Sequence, residues 1–191
     1  MQEETRQISY SIDSQDRIVH TDGSWDKFAV LNGSPDLVNS KIIGRSLWDF
    51  ISDDTVRQLY RQILVHVRSG GSMRFDFRCD SPGIRRFLHM YIAQAPSGEI
   101  QFETDTYHVE QRLAPDILRS SEIHAGPVLV TCSWCKKINT SGNTWHEVER
   151  AVQIMPLFSR DSLPLLSHGI CTECYSSVSK RLPRPPSQTG Q

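Results

Sequence analysis

Met73-Arg74-Phe75-Asp76-Phe77-Arg78-Cys79 alternates without a break. Met73, Phe75, Phe77 and Cys79 fall on one side of an extended chain, and Arg74, Asp76 and Arg78 on the other. That period of two marks a strand with one buried face. Ser81-Pro82-Gly83 supplies a turn, after which Leu88, Met90 and Ile92 interleave with Phe87, His89 and Tyr91. Pro96-Ser97-Gly98 turns the chain again, and Ile100 and Phe102 open a third strand that runs to about Val109. Turns this short join antiparallel neighbours. The stretch predicts a three-stranded meander.

Upstream, Ser52-Asp53-Asp54 offers capping groups to a helix from about Thr55 to Arg68. Val56, Leu59, Tyr60, Ile63, Leu64 and Val67 form its apolar stripe, at the three- and four-residue spacing of a buried face. Gly70-Gly71 stops it. Nearer the start, Ile8, Tyr10 and Ile12 alternate with polar residues, Ser14 to Arg17 makes a turn, and Ile18-Val19-His20 is a second short strand. Asp22 or Ser24 caps a helix from Trp25 to Leu31, ended by Asn32-Gly33. The order is two strands, helices, then three strands.

That order resembles the PAS domain, and the resemblance implies an α+β fold with a five-stranded antiparallel sheet and helices over one face. Gly44-Arg45-Ser46-Leu47-Trp48-Asp49-Phe50-Ile51, Val65-His66-Val67-Arg68 and Arg78-Cys79-Asp80-Ser81-Pro82-Gly83 look like a family of stand-alone bacterial PAS-like proteins. In that family a C-terminal segment resembling Cys132-Ser133-Trp134-Cys135-Lys136-Lys137 and Ser167-His168-Gly169-Ile170-Cys171 recurs. The likeness runs from Ile8 to about Tyr175. It implies a sensory or protein-interaction role and a small-molecule cavity, without naming a ligand; the apolar face of the sheet over the helix stripe reads equally as a filled hydrophobic core.

The C-terminal third turns on two cysteine hooks, Cys132-Ser133-Trp134-Cys135 and Cys171-Thr172-Glu173-Cys174. Each C-x-x-C aims two thiolates at a common centre, and two hooks complete the tetrahedral shell that structural Zn²⁺ prefers. Cys132, Cys135, Cys171 and Cys174 are therefore the expected metal ligands. One hook on a strand turn and one at a helix start suggest a treble-clef-like module, whose helix N-terminus favours thiolates. Paired redox thiols and unmetallated buried cysteines are the competing readings of the same residues. His168 reads as a neighbour of the metal shell rather than a ligand, because four thiolates already fill it. Glu173 reads as an outward surface residue, so no catalytic metal is expected.

Within the module, Val128-Leu129-Val130 reads as a strand, Trp145 to Met155 as a helix, Pro156 to Pro164 as irregular, and Tyr175 to about Arg181 as a short helix. The expected organisation is a PAS-like domain over 1–110, a linker over 111–126, a zinc-binding module over 127–182 and a disordered tail over 183–191. His66 reads as a histidine at the edge of the helix stripe rather than a haem ligand, and Cys79 as a small core hydrophobe. Arg85-Arg86 and Lys136-Lys137 read as solvated basic pairs.

The 191 residues carry a net charge of −1 and 38% hydrophobic residues. This balance suits a globular protein and gives no global field to recruit nucleic acid or an acidic membrane. No apolar run nears the ~18–20 residues that span a bilayer. The polar start Met1 to Gln7 lacks the apolar core of a secretory signal, so a cytoplasmic location is expected. No phosphate-cradling loop, nucleophile elbow or convincing carboxylate pair is found. The sequence therefore points to a non-enzymatic regulator with structural zinc and a protein partner or second copy of itself. A nucleic-acid-binding regulator and a thiol redox sensor are the alternatives.

Overall fold

The computed structural model describes residues 7–118, 124–155 and 163–183. The expected tail over 183–191, apart from Pro183, and most of the stretch between Pro156 and Pro164, lie outside the described residues.

β1 (Gln7–Ile12) and β2 (Ile18–Thr21) form a hairpin. α1 (Trp25–Leu31), a 3-10 turn at Pro35–Leu37, α2 (Asn39–Ile42), a second 3-10 turn at Leu47–Phe50 and α3 (Asp54–Arg68) follow. β3 (Ser72–Arg78), β4 (Ile84–Gln94) and β5 (Ile100–Gln111) complete a five-stranded sheet in the order β2-β1-β5-β4-β3. Every pairing in it is antiparallel. The expected α+β architecture is present, and the first strand lies beside the last, with Ile8 opposite Thr104 and Ile12 opposite Ile100.

α3 forms where the sequence places it. Asp53 caps it, accepting from the Val56 N–H at 2.8 Å. Val56, Leu59, Ile63, Leu64 and Val67 are buried and share a core with Met73, Phe75, Met90, Ile92 and Phe102 of the sheet. Each such side chain contributes about 1.5–3 kcal/mol of burial. Two glycines end the helix for different reasons. Gly70 takes φ +92°, and Gly71 has no room for a Cβ, which would sit 2.2 Å from the His66 ring. His66 is thus a packed edge residue covering a glycine.

The remaining elements are β6 (His124–Cys132), β7 (Ile138–Ser141), β8 (Thr144–His146), α4 (Val148–Ile154), β9 (Leu163–Gly169) and α5 (Thr172–Ser179). They form a second sheet in the order β8-β7-β6-β9, in which β9 runs parallel to β6. Three expectations change here. The helix expected from Trp145 begins at Val148, because Gly142 at φ +53° closes a hairpin that puts Trp145 opposite Asn139. The spacing of Trp145, Val148 and Val152 fits a helix equally well, and a three-residue strand is too short to show alternation. The stretch expected to be irregular, Pro156 to Pro164, runs at its end into β9, which begins at Leu163; β9 is an edge strand, where the missing N–H of Pro164 is tolerated. The last helix starts three residues earlier than expected, at Thr172, with Cys171 as its cap.

The two sheets meet at the β3 end of the first. Cys132, Trp134, Cys171 and Val178 belong to the same hydrophobic cluster as α3 and the five-stranded sheet. A smaller core gathers Leu129, Ile138, Val148 and Ala151 around Ile117. Ile117 is fully buried, although it lies in the stretch expected as linker.

The alternation in the opening stretch breaks at this meeting point. β3 ends at Arg78, so Cys79 lies beyond the strand. Arg78, expected on the solvent face, is buried, while Phe77 is only half-buried. Docking of the C-terminal elements covers the Arg78 side. The Arg78 N–H donates to the Trp134 carbonyl at 2.7 Å. Its guanidinium binds Asp80 and, at 2.8 Å, both oxygens of Glu147. Arg85 reaches Glu149 at 2.6 Å, and Arg112 bridges Glu149 at 3.3 Å and Asp80 at 3.6 Å. Arg85-Arg86 is therefore no solvated pair. Arg85 sits in this network, and Arg86 is buried with its guanidinium 5.7 Å from the Phe28 ring centre.

Candidate metal centre

The first hook is the turn that ends β6. The Cys132 N–H donates to the Lys137 carbonyl at 2.8 Å, and the Lys136 N–H to the Cys132 carbonyl at 3.0 Å. Lys136 takes φ +60°, the left-handed conformation that closes this tight loop. The second hook is the start of α5. Cys171 caps that helix, its sulfur accepting from the Cys174 N–H at 3.4 Å. The parallel pairing of β6 and β9 sets Cys132 opposite Gly169 and so delivers both hooks to one end of the sheet. The Cys171 N–H then donates to the Cys132 sulfur at 3.4 Å.

The four sulfurs lie within 4.8 Å of one another. Cys135 Sγ and Cys171 Sγ are 3.8 Å apart. A tetrahedron with metal–sulfur bonds of ~2.3 Å has edges of about 3.8 Å, whereas a disulfide needs about 2.05 Å. All five cysteines are free. The spacing fits a metal ion and is too long for disulfides.

The proton chemistry agrees. Hydrogen bonds from Cys135 and Cys174 stabilise a thiolate on Cys132 and lower its pKa far below the usual thiol range. The same contact with Cys132 pushes Cys135 up to about 12 and raises Cys174 strongly. One negative charge forms readily, and further charge on Cys135 and Cys174 in the same small volume needs a cation. Four thiolates around a divalent ion satisfy that requirement.

Other residues singled out in the sequence fall around this centre. His168 is on β9 and exposed; it lies outside the four-sulfur group. Partial desolvation and the nearby Lys136 lower its pKa. The Glu173 side chain is exposed, 3.8 Å from the Lys137 ammonium. Cys79 stands apart from the cluster, and burial raises its thiol pKa.

Sequence reasoning missed the hook's central residue. Trp134 is 3% exposed, with its ring centre 5.6 Å from that of Tyr60 on α3 and 5.5 Å from that of Phe75 on β3. The hook that carries two sulfurs therefore also carries a wedge into the N-terminal core. A large aromatic inside a C-x-x-C was the available signal. Reading the hook only for its ligands hid it.

No protein-family model and no curated protein matches the chain. Among solved structures, a domain of an HTR-like protein from Haloarcula marismortui aligns over 53% of this chain and 98% of its own, at 13% identity and a TM-score of 0.38. No functional statement rests on a likeness of that size. No helix among the described residues is long and apolar enough to cross a membrane.

Proposed function

We propose that this chain is a non-enzymatic signalling or regulatory protein. A PAS-like domain senses or engages a partner, and a module built around one structural Zn²⁺ stabilises a second interaction surface. Cys132, Cys135, Cys171 and Cys174 hold the zinc, and a protein partner or a second copy of the chain receives the signal.

The observation that supports this reading is the seat of Trp134 between Tyr60 and Phe75. The indole belongs to the metal hook, and its contacts belong to the main helix and edge strand of the first sheet. A shift of α3 against that sheet must move the hook, and movement of the hook must disturb α3. Such coupling suits a regulator. The four-thiolate shell would leave no open coordination position for turnover on the ion.

Native purification of the tagged chain, with metal analysis and light scattering, tests the proposal. One zinc per chain and a particle larger than the 21.8 kDa monomer are expected. A zinc-free monomer that recovers no partner would sink it. Zinc released by peroxide and regained with thiol reductant would favour a redox sensor, and salt-dependent retention on DNA a nucleic-acid regulator.

A further inference from the structure

A cleft of about 270 Å³ opens where the metal hook meets the N-terminal domain. It does not lie under the centre of the sheet, where Met73, Ile92 and Phe102 are packed at 2% exposure or less. Its walls are aromatic and come from both sides of the meeting point: Phe50, Tyr60, Phe75 and Phe77 from the first domain, Trp134 from the hook. The volume falls just under the ~300–1,000 Å³ of pockets for drug-sized molecules, which restricts an occupant to about one ring.

The charges in this lining are unequal in availability. Asp53 is committed to capping α3, where the partial positive charge of the helix N-terminus balances it. Lys136 has no such balance. Its ammonium donates to the Ser133 carbonyl at 2.8 Å and pairs with no carboxylate among the described residues. The neighbouring Lys137 does have one, Glu173. The left-handed backbone at residue 136 would suit glycine better, yet the chain places a half-buried lysine there.

We propose that this cleft binds a small planar aromatic acid, with its ring against the aromatic walls and its carboxylate on Lys136 Nζ. The inference rests on the sensory reading and supplies a ligand class for it. Binding would reach the metal hook directly, because Trp134 is both a wall of the cleft and part of the hook.

Benzoate is the probe and benzamide its neutral counterpart, each titrated into the metal-loaded full chain and followed by amide chemical shifts. Benzoate is expected to bind with a Kd of about 1 mM, in keeping with its few atoms. Its shifts should cluster at Ser52 to Val56 and Ser133 to Lys136. Benzamide should bind at least tenfold more weakly. Lys136→Gly removes the ammonium and relieves the backbone, so it should keep its metal and erase the benzoate preference. Phe77→Ala should weaken both probes about tenfold. Shifts scattered away from the cleft, equal binding of the two probes, or benzoate preference surviving in Lys136→Gly overturns the site. Loss of metal in Lys136→Gly also overturns it, because the lysine then serves the thiolates. These results are independent of partner recovery: a failed site leaves the regulator reading standing, and an absent partner leaves the site standing.

Discussion

Trp134 links the four-cysteine group to a hydrophobic core within one side chain. Removing a large buried aromatic costs about 3–5 kcal/mol, and Trp134→Ala should lose that much by denaturant unfolding with the four cysteines untouched. A loss below about 0.5 kcal/mol, the range of ordinary surface changes, would show that the indole is not the wedge described. Gly71 offers a second check at this scale. A Cβ there would strike the His66 ring, so Gly71→Ala should destabilise and His66→Ala should relieve it. Additive effects in the double variant would refute that contact. Neither residue announced itself. The pair Gly70-Gly71 was legible as a helix stop, but only the packed structure shows that one glycine serves φ and the other serves space.

Among elements, the join between β3, β4 and α4 rests on ionised groups with little water. The side chains of Arg78, Asp80 and Arg112 are all 8% exposed or less. Burial works against the Arg78 charge, and hydrogen bonds to Asp80 and Glu147 more than reverse that, so its pKa rises. Breaking such a buried arrangement from one side costs about 3–5 kcal/mol, the loss expected for Arg78→Ala. Replacing Arg78 and Glu147 together by apolar residues should recover part of it. The same join is acid-sensitive. Burial alone would raise the Glu149 pKa, but its own amide and the Arg85 and Arg112 guanidiniums hold it below the usual value of 4.5. A carboxyl lowered on folding adds stability above its ordinary pKa and loses it as pH falls through the lowered one. Stability should therefore drop below about pH 4.5, and more gently in Glu149→Gln. Identical acid profiles for the two proteins would remove Glu149 from the account. In sequence Arg85 reads as surface charge and Arg78 falls on the polar face of its strand, because a docked neighbour leaves no mark on strand periodicity.

Across the whole molecule, metal and fold are expected to respond together. Cys132 and Cys171 share a cluster with Ile63, Phe75 and Phe102. Chelation should lower the midpoint of the first sheet as well as the second, seen as faster amide exchange in α3 and β3. Unchanged exchange there would mean that the two parts are energetically separate. How much of this was legible divides by distance along the chain. The first sheet could be read because its strands alternate and its turns are short, and the four-cysteine cluster because two C-x-x-C hooks carry their own geometry. The second sheet could not. β7, β8 and β9 are short or interrupted by proline, and the β6–β9 pairing joins residues some forty apart.

That parallel pairing also sets a clock. Strands running the same way cannot meet until the whole crossover between them exists, so the first hook is complete while its counterpart is still unmade. At a synthesis rate of about 5–20 residues per second, the interval lasts on the order of a few seconds. During it Cys132 and Cys135 are present without Cys171 and Cys174, while Tyr60 and Phe75, the ring neighbours of Trp134, already exist. The four-sulfur group is thus completed only after the rings that seat Trp134 have already been made.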